Sequence, residues 1–236
     1  MKAFGVMQPY FLPYIGYFQL LNLVDEFIIY DNIEFTKKGW INRNRIMVGG
    51  EPQYFTINLV KGSDFLMVNE RFISPVFKKE RTKILNKIRM SYRKAAYFEE
   101  SMPLIERCFM CEHENLFEYI FYSIKEVVEY LNINTELVVS SSLEIDHALK
   151  NKYKLWEMAR CLGFHRYVNP IGGHSLYEKD EFDSHGLMLQ FHQSQLREYQ
   201  QVGRATEFVP ALSIMDLLLC EGKEGAKEQL SNYTIS

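Results

Sequence analysis

The chain has 236 residues, of which 47% are hydrophobic and 24% are charged. This balance is typical of a globular protein, and the length is enough to bury a sizeable core in one unit. The formal net charge of -3 argues against a protein whose main task is to coat nucleic acid, because that binding needs many uncompensated Lys and Arg side chains. We predict a single domain spanning residues 1–236, with no nucleic acid as its main partner.

Targeting and cysteine signals are weak. No basic and then apolar leader opens the sequence, since Gln8, Pro9 and Pro13 follow Met1 closely, and no apolar run approaches the roughly 20 residues that span a bilayer. The 4 cysteines are too few for a disulfide framework, so we expect reduced thiols. These patterns predict a cytoplasmic protein without membrane insertion.

The first thirty residues follow a strand, helix, strand pattern. A short apolar segment at 2–7 stops at Gln8-Pro9, apolar residues recur at helical spacing over 14–24, and 27–30 is again short and apolar. Consecutive parallel strands joined by a helix form a right-handed βαβ unit. A parallel sheet is therefore expected.

The next segments predict a hairpin and two helices that cover the sheet. The hairpin strands are expected at 46–48 and 54–60, with the turn signal at 49–52 between them. Apolar residues at helical spacing predict the two helices over 74–92 and 115–131.

The last part of the chain returns to alternating strands and helices. A buried strand is predicted at 136–139, and a helix at 150–162 that stops at Gly163. Apolar segments at 167–169 and 187–191 precede a helix over 214–220, capped by Ser213 and stopped by Gly222. Together the elements predict an α/β fold, a Rossmann-like parallel sheet flanked by helices, with a C-terminal mixed α+β portion.

The loop after the first strand is the first candidate site. A buried strand that leads through a loop to a helix leaves backbone N–H groups free for a phosphate or carboxylate. We assign Gln8, Tyr10, Tyr14 and Gly16 to substrate binding, with Gly16 allowing close approach. The alternative is a tight strand-to-helix turn whose aromatic side chains only fill the core.

The tetrapeptide at 14–17 is similar to the signature of the HIGH-type nucleotidyltransferases, with Tyr14 and Tyr17 in place of both histidines. In that family the imidazoles stabilise phosphate charge in the transition state. A phenol with a pKa near 10 is a neutral donor, so phosphate binding tolerates the exchange better than catalysis does. Tyr17 is nevertheless a candidate catalytic residue.

A basic segment with a tryptophan is the second candidate site. In extended structure Arg43 and Arg45 share one face and Asn42 and Asn44 the other, and Lys37 and Lys38 precede them. The flat ring of Trp40 suits stacking on a base or a sugar face. We assign Trp40, Asn42, Arg43, Asn44 and Arg45 to the binding of a polyanion such as a nucleotide-sugar diphosphate, and a solvated basic edge strand is the alternative.

Further candidates are isolated residues. Ser141 and Ser142 follow a predicted strand and could bind an anion, or form an ordinary N-cap loop. His174 follows two glycines and is our first candidate for a general base, with His192 as a second. Asp216 lies in an apolar helix, where it acts as a catalytic carboxylate or anchors the helix through Ser213 or an arginine.

No metal ligand is predicted. Cys108, Cys111 and His113 have the close spacing that zinc ligands use, but no second pair at a matching distance completes a tetrahedral site.

Four segments together resemble the WbqC-like family of bacterial proteins. They are MQPYFLPYIGY at 7–17, WINRNR at 40–45, Tyr199-Gln200 and LSIMDLL at 212–218. The first two segments are long and unusual in composition, and the similarity covers nearly the whole chain.

The resemblance implies a function in the biosynthesis of O-antigen, the surface polysaccharide of lipopolysaccharide. It implies a transferase that moves a glycyl, other aminoacyl or acyl group to an amino sugar of a nucleotide sugar. The partners would then be that nucleotide sugar and an activated acyl donor, with a nucleotide-activated donor and Mg²⁺ as candidate cofactors and a homodimer left open. Two alternatives remain: a nucleotidyltransferase that uses a nucleoside triphosphate, and a non-catalytic module that binds a sugar or a partner enzyme.

Overall fold

A computed structural model describes residues 2–203 and 207–236. The chain opens with strand β1 (Ala3–Met7), helix α1 (Ile15–Leu23) and strand β2 (Glu26–Ile29). β1 and β2 pair in parallel from Phe4 opposite Glu26 to Met7 opposite Ile29. The βαβ unit predicted for the first thirty residues is confirmed.

A long connection follows β2 and begins with an antiparallel hairpin, β3 (Arg43–Val48) and β4 (Glu51–Thr56). The hairpin is confirmed, but its strands begin three residues before the predicted ones at 46 and 54. The reason is the turn, which is only Gly49-Gly50, because φ values of 66° and 92° reverse the chain within two residues. Pro52 therefore lies inside β4, which an edge strand tolerates.

Three helices complete this connection: α2 (Phe77–Tyr92), α3 (Phe98–Met110) and α4 (Leu116–Tyr130). α2 and α4 confirm the two predicted helices. No helix was predicted over α3, which contains Pro103, a residue that argues against a helix in sequence. One buried face of α3, with Leu104, Ile105 and Cys108, stabilises it by packing.

The remaining elements are β5 (Glu136–Val139), α5 (Asn151–Leu162), β6 (Arg166–Pro170), α6 (Lys179–Asp183), β7 (Met188–Ser194), α7 (Ile214–Gln229) and β8 (Tyr233–Ile235). All the strands and helices predicted for this part are present. β5 is half-buried rather than buried, because it lies at the edge of the sheet. Gly222 does not end the last helix: its φ of 70° and ψ of -172° bend the chain, and helical structure resumes to Gln229.

The strands form one sheet in the order β5-β2-β1-β6-β7-β8. The first five are parallel, and β8 pairs antiparallel with β7. Counted along the chain, the sheet strands run third, second, first, fourth, fifth, sixth, which is the Rossmann order. The predicted fold class is confirmed, and the order reverses direction between β1 and β6.

Both faces of the sheet are covered. On one face Phe4 and Val6 of β1 pack with Met158 of α5 and Phe182 of α6. The opposite face contacts a larger cluster that includes residues of α1, α4 and α7. None of the helices within residues 2–203 and 207–236 is long and apolar enough to cross a membrane.

His192 lies in β7 near the antiparallel edge of the sheet. It is 3% exposed, its ring centroid is 5.1 Å from that of Tyr233, and its Nε2 atom has no hydrogen-bond partner among the described residues. Burial lowers its pKa from 6.5 to about 4, because the charged imidazolium is disfavoured away from water. His192 is therefore neutral in the folded protein at neutral pH.

This burial predicts acid sensitivity. In the unfolded chain His192 binds a proton below pH 6.5, whereas in the folded protein it binds one only near pH 4. Protonation therefore favours the unfolded chain, and the free energy of unfolding decreases as the pH falls from 6.5 towards 4. His192→Phe is expected to reduce the drop in unfolding free energy between pH 7 and pH 4.5 by about 2 kcal/mol. Urea denaturation at both pH values measures it. His165→Gln is the control for removing an exposed imidazole, and an equal drop in His192→Phe and the native protein would contradict the prediction.

Candidate functional site

The strand order reverses between β1 and β6. Ligands of open parallel α/β sheets bind at this point, beyond the carboxyl ends of the strands. β1 ends at Met7 and leads into residues 8–14, and β6 ends at Pro170, where the 3-10 helix Ile171–Leu176 begins. The loop predicted to bind a ligand and the turn that contains His174 therefore follow adjacent strands.

The loop after β1 is held by side chains from distant segments. Asn44 Nδ2 donates to the carbonyl oxygens of Phe11 (3.2 Å) and Leu12 (2.7 Å), and Ser213 Oγ also donates to Leu12 O (2.7 Å). Phe11 is fully buried, and its backbone N–H donates to Ile41 O at 3.1 Å. These bonds compensate for the strained left-handed conformation of Leu12, with φ of 45°. The loop is therefore fixed in place and presents Tyr10 and Tyr14 in a defined geometry.

Tyr10 of the loop and Tyr17 of α1 both contact Gln8. Tyr17 is 1% exposed and its hydroxyl donates to Gln8 O at 3.3 Å, while the Tyr10 hydroxyl donates to Gln8 Oε1 at 3.3 Å. Burial raises the pKa of both phenols, that of Tyr17 well above its usual value. Both groups are neutral hydrogen-bond donors at neutral pH, and Tyr17 lies in the core next to Phe27.

Tyr14 occupies the N-terminus of α1 and explains Gly16. A Cβ atom at Gly16 would lie 2.4 to 2.6 Å from the Tyr14 ring and hydroxyl, so only glycine lets the ring fold against the first turn. Tyr14 is half-buried, and burial raises the pKa of its phenol. The close approach that sequence suggested at Gly16 is thus made by a side chain of the same loop.

The alternation predicted in the basic segment is present in β3. Asn42 and Asn44 are buried, and Asn42 Nδ2 donates to Ile57 O at 2.8 Å. Arg43 and Arg45 are half-buried on the opposite face. The two asparagine side chains thus donate to backbone carbonyl groups of other segments, and the two arginines on the opposite face remain available to a ligand.

Trp40 and both arginines form one group. The guanidinium carbons of Arg43 and Arg45 lie 5.7 and 5.6 Å from the Trp40 ring centroid, and that of Arg43 lies 4.9 Å from the Tyr54 ring. Arg43 Nε donates to Gly39 O at 2.8 Å, and Arg45 Nη2 donates to Ala211 O at 3.4 Å. Carbonyl groups orient both guanidinium groups without neutralising them.

The loop after β1 and the basic segment meet at a cavity of about 190 Å³. Five residues predicted to bind substrate line this aromatic pocket, together with Pro13 and Ala211: Tyr10, Tyr14, Trp40, Asn44 and Arg45. Three flat rings and one guanidinium are suited to a planar or ring-shaped group that carries negative charge nearby. Two segments far apart in sequence therefore build one concave site.

Asp216 is 0% exposed and has three hydrogen-bond donors. Tyr92 Oη donates to its Oδ1 at 2.6 Å, and Tyr199 Oη (2.7 Å) and Gln201 Nε2 (3.1 Å) donate to its Oδ2. Burial raises its pKa, and the three donors oppose that shift. Sequence had suggested Ser213 or an arginine as partner, which was wrong because Ser213 Oγ donates to Leu12 O instead. The geometry is that of an anchor between α2, α7 and the segment at 199–201.

Ser141 and Ser142 belong to a single turn after β5, eight residues before α5 begins. The Ser141 N–H donates to Asp31 Oδ1 at 2.9 Å, and Ser142 Oγ donates to Val139 O at 2.7 Å. The backbone N–H of Ser141, predicted to bind an anionic ligand, thus already donates to the carboxylate of Asp31. Binding of a ligand by Ser141 or Ser142 stays a prediction.

His174 is exposed in the turn after β6, with its ring 4.7 Å from that of Phe191. It does not line the aromatic pocket, and its role as a general base stays a prediction.

Sequence analysis missed Asn169, which is 7% exposed and accepts from the Tyr167 hydroxyl at 2.9 Å. A polar residue at the end of an apolar strand was the signal. Across residues 2–203 and 207–236, no three His, Cys, Asp or Glu side chains converge as a metal site requires.

The bonds from Asn44 predict a stability effect. Asn44→Ala leaves the buried Phe11 carbonyl without this donor and removes one of two donors from Leu12, which is expected to cost about 2 kcal/mol of unfolding free energy. Chemical denaturation measures the change. Asn134→Ala, at an exposed position, is the control and should be nearly neutral. Equal stability of the two variants would show that the loop does not depend on Asn44.

Comparisons with known proteins found one family model and one relative that match this chain. The model of the WbqC-like protein family matches residues 8–228. A protein of Mycobacterium tuberculosis (strain ATCC 25618 / H37Rv), described as "Uncharacterized protein Rv1507c", is 31% identical over 229 residues, which cover 95% of this chain and 96% of the relative. No solved structure matches the chain. The family match spans both segments that build the aromatic pocket, and the chain belongs to the WbqC-like protein family.

Proposed function

We propose that the protein is a transferase of bacterial surface polysaccharide biosynthesis. It binds a nucleotide sugar at the aromatic pocket and transfers a glycyl, other aminoacyl or acyl group to an amino group of the sugar. One observation carries the proposal: five residues singled out in sequence, from the loop after β1 and from the basic segment, line one cavity.

The size of the pocket defines which part of the ligand enters it. A cavity of about 190 Å³ accommodates one ring, so the base or the sugar stacks on Trp40, and the rest of the molecule extends along β3. Tyr10 and Tyr14 supply two further aromatic surfaces and two neutral hydroxyl donors. These groups suit a ligand that is flat and rich in acceptors.

The diphosphate of such a ligand needs cations along its path. Arg43 and Arg45 point to the same face of β3, and neither forms an ion pair within 4.0 Å with a described carboxylate. A guanidinium presents two parallel N–H donors to phosphate, and a desolvated guanidinium gains more from the contact than a solvated one. Arg45, which lines the aromatic pocket, is therefore assigned to the diphosphate, and Arg43 lies beside it on the same face of β3.

The proposed reaction sets the requirements for the remaining groups. The sugar amine attacks the acyl carbonyl carbon, the donor's leaving group departs with the bonding electrons, and the amine proton passes to a base. Tyr10, Tyr14 and Tyr17 do not act as that base, because burial raises their pKa values. His174, at the end of the strand next to β1, is the proposed base, and Tyr14 is the proposed donor to the oxyanion.

Binding of nucleotide amino sugars tests the pocket. Trp40→Ala removes the stacking surface and is expected to weaken binding roughly tenfold, since stacking of one base contributes about 1 to 3 kcal/mol. Arg45→Gln is expected to weaken binding similarly and to flatten its salt dependence. Isothermal titration with uridine and thymidine diphosphate amino sugars measures both.

Arg160→Gln is the matched control, because Arg160 is an exposed arginine that pairs with Glu157 on α5. It should bind as the native protein does. If Trp40→Ala and Arg45→Gln also bind as tightly as the native protein, the aromatic pocket is not the nucleotide-sugar site.

A second candidate function, nucleotidyl transfer, is favoured by the position of residues 14–17. This tetrapeptide spans the start of α1, the first helix after the first strand of a sheet in Rossmann order, where the HIGH signature would be expected. Tyr17 is buried with its hydroxyl on Gln8, so Tyr14 alone could contact phosphate.

Pyrophosphate release separates these functions. A nucleotidyltransferase is expected to release pyrophosphate from a nucleoside triphosphate with Mg²⁺, and Tyr14→Phe to slow that release, whereas an acyltransferase is expected to consume its acyl donor without this product. Tight binding of a nucleotide sugar with no turnover of any activated donor would instead favour the non-catalytic module.

A further inference from the structure

A second cavity, of about 680 Å³, lies beside the same hairpin and shares no lining residue with the aromatic pocket. Five of its lining residues are cations: Lys37, Lys38, Arg43, Lys61 and Arg71. Among the residues described, no aspartate or glutamate lines this basic trough. Such a concentration of positive charge is opposite in sign to the net charge of -3 of the whole chain.

Arg71 is the least exposed of these cations. Its side chain is 4% exposed, its guanidinium carbon lies 4.9 Å from the Phe35 ring centroid, and its Nη2 donates to Ser63 O at 2.7 Å. Its Nε, like that of Arg81, has no hydrogen-bond partner among the described residues, and no carboxylate within the described ranges 2–203 and 207–236 lies within ion-pair distance of Arg71. A buried guanidinium is costly unless its donors are bound, so the donors of Arg71 that no described protein group accepts are available to an anionic ligand in the cavity.

Arg81 shows how the same protein treats a buried arginine that has a structural role. It is 7% exposed, and its Nη2 pairs with Glu112 Oε1 at 2.7 Å, while Nη1 donates to Cys111 O at 2.9 Å. Near the basic trough the carboxylate of Asp64 pairs with Lys37 instead, at 2.5 Å, and its pKa is lowered first by Lys37 and to a smaller extent by the more distant Arg71. Arg71 therefore lacks the direct carboxylate partner that Arg81 has.

We propose that the basic trough is a binding site for an oligophosphate group, with Arg71 as the charge at its base. A planar guanidinium matches two phosphate oxygens, and the lysines place further charge around a ligand with several negative charges. A ligand with a single carboxylate would neutralise only one of the five cations. The volume of the cavity also exceeds that of a single phosphate group, so a ligand with several phosphates fits the site better. This proposal does not depend on the proposed transferase function, because binding of inorganic pyrophosphate is measured without a sugar or an acyl donor.

The first experiment titrates the full chain with inorganic pyrophosphate and with tripolyphosphate at low ionic strength. Lys38→Gln combined with Lys61→Gln is expected to weaken binding about tenfold. The matched control combines Lys87→Gln with Lys125→Gln, which removes the same charge from exposed positions on α2 and α4. The control should bind as the native protein does. Absence of binding to the native protein, or equal weakening in both double variants, would overturn the proposal.

Arg71→Met supplies a second, independent measurement. Methionine keeps a long apolar stem, and replacement of an uncompensated buried charge is expected to leave the melting temperature equal or higher while pyrophosphate no longer raises it. A folded Arg71→Met that binds pyrophosphate as tightly as the native protein would overturn the proposal. If this variant does not fold, the lysine variants decide.

Trp40→Ala separates this site from the aromatic pocket. It is expected to keep most of its pyrophosphate affinity even if it loses nucleotide-sugar binding, since Trp40 does not line the basic trough and contacts only Arg43 of its five cations. Loss of pyrophosphate binding in Trp40→Ala would move the anion to the aromatic pocket and overturn the proposal. Failure of the nucleotide-sugar experiments alone would leave it standing.

Discussion

The amide of Asn44 is the interaction on which the candidate site depends. It joins the hairpin to the carbonyl groups of Phe11 and Leu12, and so couples the connection after β2 to the loop after β1. A hairpin of two strands is marginal by itself and needs a surface to pack on. The aromatic pocket exists because this contact holds Trp40 and Arg45 opposite Tyr10 and Tyr14.

Asp216 performs a related task in a different part of the core. Tyr92 from α2 donates to its carboxylate and accepts from the Met47 N–H of β3 at 2.8 Å. Tyr199 and Gln201 add the segment before α7. The network connects α2, the hairpin, α7 and the segment at 199–201, most of which are far apart in sequence. Because a buried carboxylate with fewer donors would be costly, the network favours one arrangement of these elements over others.

Sequence patterns predicted most of the fold, because the periodicity of apolar residues reports directly on which faces are buried. The strand order could not be predicted in the same way, since pairing between β1 and β6 joins residues more than 160 positions apart. α3 was missed because Pro103 argues against a helix, and packing outweighs that local preference. For the site, residues of the two long motifs could be selected by chemistry, but the donors to Asp216 and the isolation of Arg71 depend on distances that a linear sequence does not contain.

The two strands of the hairpin pair with each other and with no other strand among the described residues. The hairpin is attached to the rest of the protein by side-chain hydrogen bonds, by the Ser213 N–H that donates to Arg45 O, and by Phe55 and Met47 in the core. Such a unit opens at a lower free energy than the central sheet, so its amide hydrogens exchange earlier. A ligand that contacts both the hairpin and the loop after β1 would stabilise the hairpin against local unfolding. Ligand binding would then slow amide hydrogen exchange in β3 and β4 and leave the exchange rates of the central strands unchanged.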